Sequence, residues 1–265
     1  MLATISIKNK SYSIDLTKAI DLSITINHGK QNPNCFWSPY PWFKAYQAGS
    51  FIGSTLKGSP VNFFNVKLNP HGSTTHTECV GHIATENYTI NNCLKTNWFK
   101  ALLITVKPEK IDEDLVITET AIKAQLKNIQ TDTEALIIRT LPNTNNKLTN
   151  VYSGTNPPYL HVNAMDLIVQ QGIQHFLIDL PSVDREEDKG ELLSHHKFWK
   201  YPAYKSTYTP NELEQVRQYC TISELLYIPN EVSNGYYFLN LQTLNFNLDV
   251  SPSKPLIYAI LDDEK

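Results

Sequence analysis

Between Asn69 and His82 the chain places His71, His76 and His82, three of its eight histidines, together with Glu78 in a span of fourteen residues. Neutral imidazole and carboxylate are ligands that zinc and manganese favour, and an imidazole beside such a cation can also carry a proton near neutral pH. The segment therefore reads as a metal site with a catalytic base attached. His76 and Glu78 are separated by one residue, so in extended backbone their side chains leave on the same side and can share one cation. His71 reaches that ion if the chain turns tightly at Gly72. His82 is either a further ligand or a base next to the metal.

A single histidine more often sits in a satisfied polar network than on a metal, but four such groups in one short segment shift the balance toward a site. The set still needs a partner from elsewhere, and Ser194-His195-His196 is the obvious supplier. Neighbouring side chains diverge, so only one of His195 and His196 faces the site. The charged run from Asp184 to Asp188 reads as a solvated face. Ser73, Thr74 and Thr75 either offer donors to the site or satisfy the turn. No G-x-S-x-G elbow occurs, which argues against a serine hydrolase.

The elements that must hold these groups follow from periodicity. Residues 3–14 alternate about a Lys8-Asn9-Lys10 turn and predict a hairpin, with a further strand at 21–26. Residues 27–60, rich in Pro, Gly, Asn and aromatics, predict a long loop whose rings at 36–43 suit either a substrate wall or a subunit interface. Alternation at 61–68 stopped by Pro70 puts the histidines on a loop leaving a strand. Strands at 101–106, 135–139 and 176–180 and helices at 118–129 and 163–171, with a surface loop or lid at 141–160, complete the middle of the chain. Helices among strands, framed by β-rich ends, predict one α/β domain over residues 1–265, with mixed β-sheets and flanking helices.

Composition narrows the function classes. A hydrophobic content of 41% with 18% charged residues supports a substantial core. A net charge of −3 gives no reason to expect nucleic acid or a membrane surface as partner, so a small-molecule substrate fits better. The N-terminus lacks the pattern of a signal peptide, and the four cysteines form no C-x-x-C pair, so reduced thiols in a cytoplasm are expected.

The residues also resemble a known family, the cyclase and kynurenine formamidase-like metal-dependent hydrolases. Thr75-His76-Thr77-Glu78-Cys79-Val80-Gly81-His82 falls on the T-H-x-D-x-P-x-H part of its hallmark H-x-G-T-H-x-D-x-P-x-H. Asp21-Leu22-Ser23, Ile137-Ile138-Arg139-Thr140, Asp179-Leu180-Pro181-Ser182-Val183-Asp184, Ser194-His195 and Ile222-Ser223-Glu224-Leu225 resemble its other segments, so the likeness spans nearly the whole chain. Glu78 stands where the family usually has Asp, Val80 where it has Pro, and His71 one residue early.

The resemblance implies a swivelling β/β/α fold, one or two divalent ions, most often zinc or manganese, and hydrolysis of an amide or strained cyclic amide of the arylformamidase kind. It implies His71, His76 and Glu78 as ligands, His195 and Glu224 as ligands to a second ion, and His82 as the catalytic acid and base. His196 replaces His195 if that loop shifts by one residue. It further implies a homodimer or homotetramer. A metal-stabilised binding or structural protein without catalysis is the competing expectation, motivated by the changes around Glu78.

Overall fold

The computed structural model describes residues 1–7, 10–203 and 208–261. Its centre is a ten-stranded sheet: β1 (Leu2–Ile7), β2 (Lys10–Asp15), β3 (Ile20–Asp21), β4 (His76–Cys79), β5 (Trp98–Val106), β6 (Ala135–Thr140), β7 (His175–Ile178), β8 (Thr221–Glu224), β9 (Gly235–Thr243) and β10 (Val250–Leu261). The neighbours run β1-β2-β10-β9-β5-β6-β7-β8-β4, and β4 then pairs back onto β10 through Glu78 with Val250, Thr77 with Ser251 and His76 with Pro252. That last pairing closes seven of the strands into a barrel, which removes the edge that β4 would otherwise present. Strands β5, β6, β7 and β8 are parallel, and the remaining pairs are antiparallel.

The parallel strands are apolar because both of their faces are covered. Ala101, Leu103, Ala135, Ile137 and Leu177 point into the barrel, where Leu239 and Ile257 meet them. The alternate residues Leu102, Ile104, Leu136, Ile138, Phe176 and Ile222 face helices. Those helices are α1 (Glu119–Leu126), α2 (Val162–Gln170) and α3 (Leu193–Trp199), which contribute Ile122, Met165, Ile168, Phe198 and Trp199 to the same cluster. A period of two with both phases apolar is what a strand buried on each side requires. The hydroxyl of Thr118 accepts the Ala121 N–H at 3.1 Å to cap α1, and Gly172, at φ +80°, follows α2 in the left-handed conformation a glycine adopts without strain.

The structure has the mixed α/β architecture expected from the sequence, with α3 and β8 added to the expected elements and four local differences in the rest. The histidine segment is not a loop: His71 lies in a one-turn helix, Pro70–Ser73, and His76 and Glu78 lie on β4 inside the barrel wall. The strand expected at 21–26 shortens to β3, after which the backbone leaves the ladder. Residues 27–60 are not wholly loop, because Trp42–Ala45 pairs with Phe64–Lys67 in a separate hairpin that leaves Trp42, Phe63, Phe64 and Val66 exposed. Residues 141–160 hold a cis Leu141–Pro142 bond and a buried lysine, Lys147, whose ammonium lies 2.6 Å from Asp179, so part of this segment belongs to the core. The β1–β2 pair matches the expected hairpin, while Lys8 and Asn9 of its turn lie outside the described residues.

Candidate metal and catalytic site

The site is built on the helix-facing side of the barrel at the junction of β8 and β4. His76 and Glu224 are direct cross-strand partners, and Glu78 faces Ile222 two residues along, so the strand period puts His76, Glu78 and Glu224 on one face. The intervening Thr77 and Ser223 point the other way and share a hydrogen bond of 2.7 Å. Because β8 is parallel to β7, the carboxyl ends of both strands open on the same side, where open α/β sheets commonly hold their ligands. The chain leaving β7 reaches Asp184 there, and α3 brings in His195.

Distances show how tightly these groups converge. Glu78 lies 3.2 Å from His71 Nδ1, 3.7 Å from His82 Nδ1 and 3.1 Å from His195 Nε2. Glu224 lies 3.4 Å from His76 Nε2 and 4.0 Å from His195 Nε2, and it accepts a hydrogen bond from the Val183 N–H at 2.9 Å. His76, Glu78, His195 and Glu224 are buried, whereas His71 and His82 are partly open to solvent. All six residues expected at the site from the sequence are thus adjacent. His196 faces away, its Nδ1 2.9 Å from the Tyr201 carbonyl, so His195 is the member of the pair that enters the site.

Two acids support the histidines. Asp184 accepts the N–H groups of Ser194 and His195 at 2.7 and 3.1 Å, and its second oxygen lies 2.6 Å from His195 Nδ1. One carboxylate therefore starts α3 and orients the ring that α3 carries. This corrects the solvated-face reading of the charged run at its first residue, since Asp184 is buried, while Glu187 further along is exposed. Asp249, immediately before β10, was not singled out in the sequence, yet its Oδ2 is 3.3 Å from His71 Nε2 and 3.5 Å from His82 Nδ1. The hydroxyls of Ser73 and Thr74 donate to the Asn69 and Pro70 carbonyls and so satisfy the turn, whereas that of Thr75 donates to the Leu225 carbonyl and accepts the Ile24 N–H, tying the turn to distant segments.

Electrostatics follow from the surplus of acid. Burial works to lower the pKa of His71, but the neighbouring Asp249 and Glu78 carboxylates outweigh it and push the value up to about 10. His195 is raised in the same way, burial being overcome by Asp184 and Glu78. Burial would raise Glu78, yet the surrounding His82, His195 and His71 hold it well below the carboxylate range. Without a cation, the neighbouring carboxylates favour protons on His71 and His195. A divalent ion competes for the same lone pairs.

The donor set fits such an ion. His76 Nδ1 lies 2.9 Å from the Thr74 carbonyl, which can only accept, so Nδ1 carries the proton and Nε2 keeps its lone pair. Nε2 is buried and has no hydrogen-bond partner among the described residues; Glu78 Oε2 is in the same condition. Leaving two acceptors dry and unpaired costs about 1–3 kcal/mol each, and a cation between them removes that penalty. The sets His71–His76–Glu78 and Glu78–His82–His195 each bring one ligand atom per residue within 4.8 Å of the others. A cavity of about 590 Å³ opens onto His71, His82, His195 and Glu224, with Phe36 and Trp37 at its wall. Both aromatics have positive φ, 55° and 51°, a conformation side chains of that size rarely adopt.

The family model described as "Putative cyclase" matches residues 20–185, more than half of the chain and including the whole histidine segment. The chain belongs to the cyclase family. No curated protein sequence matches it. Among solved structures, isatin hydrolase A from Labrenzia aggregata bound to benzyl benzoate is similar with a TM-score of 0.64 at 14% identity, covering 91% of this chain and 93% of the other. An isatin hydrolase bound to the product analogue thioisatinate gives 0.63 at 14% identity, covering 92% and 93%. A potential metal-dependent hydrolase with cyclase activity gives 0.60 at 18% identity, covering 91% and 98%. At these identities the three structures show that this cyclase-family chain shares their fold.

Proposed function

We propose that this chain is a metal-dependent hydrolase that cleaves a C–N bond of a small aryl formamide or cyclic amide. The observation that carries the reading is the pair of buried, unpartnered acceptors, His76 Nε2 and Glu78 Oε2, packed behind His71, His82, His195 and Glu224, which line an aromatic-walled cavity. His71, His76 and Glu78 would hold one ion, and His195 and Glu224 a second. A divalent cation, zinc or manganese, supplies an acidified water and charge for the developing oxyanion. His82, partly exposed at the cavity, moves a proton to the leaving nitrogen, a task for which an imidazole can serve as both donor and acceptor. Phe36 and Trp37 bound the space for a planar ring, which matches the cyclic aryl amide that the isatin hydrolases are named for.

Protein loaded with zinc or manganese is expected to turn over members of a panel of aryl formamides and cyclic amides. Chelation should abolish that turnover, and restoring the metal should recover it. Full activity in metal-free protein sinks the proposal, and tight metal binding without turnover on any member of the panel favours a metal-stabilised binding protein instead.

A further inference from the structure

We infer that Asp249 is the positioning residue for His71 and His82, so that the strand closing the barrel also aims two histidines of the site. This rests on the metal-site part of the proposed function and not on its substrate.

Of the four histidines that point a ring nitrogen at Glu78 or Glu224, three, His71, His76 and His195, are held at the other nitrogen by an oxygen that can only accept. His76 has the Thr74 carbonyl at 2.9 Å, and His195 has the Asp184 carboxylate at 2.6 Å. His71 has the Asp249 carboxylate at 3.3 Å from Nε2, which leaves Nδ1 facing Glu78 at 3.2 Å. Such outer acceptors fix the tautomer and orientation of a ligating imidazole. Asp249 does more than its counterparts because the same oxygen lies 3.5 Å from His82 Nδ1. The His71 and His82 rings sit 4.5 Å apart between centroids, so one carboxylate spans both.

The backbone around Asp249 shows why this acid is well placed to set geometry. Its carbonyl accepts the Cys79 N–H at 2.9 Å, the next residue Val250 pairs with Glu78, and the preceding Leu248 carbonyl accepts the Ile90 N–H at 2.8 Å. On the other side, a Cβ at Gly81 would stand 3.0 Å from the Asp249 Cβ. Asp249 is therefore locked to the turn that carries His82 by ladder and loop hydrogen bonds that do not involve its own side chain. Asp249 and His71 are 178 residues apart in sequence, and the closure of the barrel brings them together.

Zinc affinity measured by chelator competition at fixed pH tests this without any substrate. Asp249→Ala should weaken zinc binding on the order of 10–100-fold, Asp249→Asn less, and Asp249→Glu least, with the number of bound ions unchanged. In a His71→Ala background the further change Asp249→Ala should have little added effect on affinity, because Asp249 acts through that ring. Where turnover is found, kcat should fall more than KM changes, because His82 is also released. Asp249→Asn, nearly isosteric, keeps the comparison usable if the alanine variant does not fold. Unchanged affinity in a folded Asp249 variant overturns the inference, as does loss of a whole bound ion, which would make Asp249 a ligand itself. Protein that hydrolyses none of the amides yet shows the affinity pattern defeats the hydrolase reading and leaves this inference standing.

Discussion

At the scale of single residues, the site separates groups buried in the core from those partly open to solvent. His76, Glu78, His195 and Glu224 are buried, while His71 and His82 are partly exposed and line the cavity. A proton carrier needs access to substrate, and a ligand needs exclusion from competing water. Replacing His82 by alanine should therefore lower turnover by about 10²–10⁴-fold while bound metal, measured by elemental analysis, stays at the wild-type level. A variant that loses its metal together with its activity would instead make His82 a ligand. The sequence made His71, His76, Glu78, His82 and one of the histidines at 195–196 legible, because residue type and close spacing carry that signal. It did not make Asp249 legible, since a lone acid in Asn247-Leu248-Asp249-Val250 looks like any residue entering a strand, and its partners lie far upstream. Asp184 was hidden for the opposite reason: it sits among four other charged residues, and only burial tells it apart.

At the scale of elements, the legible parts were those whose pattern is local. The parallel strands β5, β6 and β7 and the helices α1 and α2 lie near the positions that runs and periods within a dozen residues predict, whereas α3 and β8 carry no such local pattern. β4 was missed because His76-Thr77-Glu78-Cys79 has neither apolar alternation nor β-branched enrichment; its place between β8 and β10 comes from long-range pairing. The short 3₁₀ turn Val80–His82 that follows β4 then has to fit a slot already filled. A Cβ at Gly81 would lie 2.2 Å from the Tyr88 carbonyl oxygen, a backbone atom that cannot rotate out of the way. Gly81→Ala is thus expected to displace the turn, costing about 1–3 kcal/mol of stability and reducing kcat through misplacement of His82. Urea unfolding alongside kinetics checks this, and an alanine variant equal to wild type in both would show that the turn has room to shift.

For the molecule as a whole, the barrel has two chemically distinct ends. The carboxyl ends of β7 and β8 carry the acidic, histidine-rich site, whereas the amino ends carry His175 against Thr221, with Nδ1 to Oγ1 at 2.9 Å and the imidazole 3.8 Å from the Phe99 ring centroid. His175 is buried, and that burial, with the Arg217 charge adding to it, lowers its pKa to about 3. An unfolded histidine titrates near 6.5, so below that pH the unfolded chain takes up a proton that the folded chain refuses. The stability contributed by keeping His175 neutral is therefore complete above about pH 6.5 and is lost as pH falls toward about 3, at up to about 1.4 kcal/mol per unit. Between pH 6.5 and 5 that amounts to about 2 kcal/mol. His175→Gln removes the titrating group while keeping a polar side chain against Thr221. Urea unfolding at the two pH values should show wild type losing about 2 kcal/mol more than the variant over that interval. Since every other ionisable group is common to both proteins, equal losses would mean that the His175 ring is protonated in the folded barrel after all.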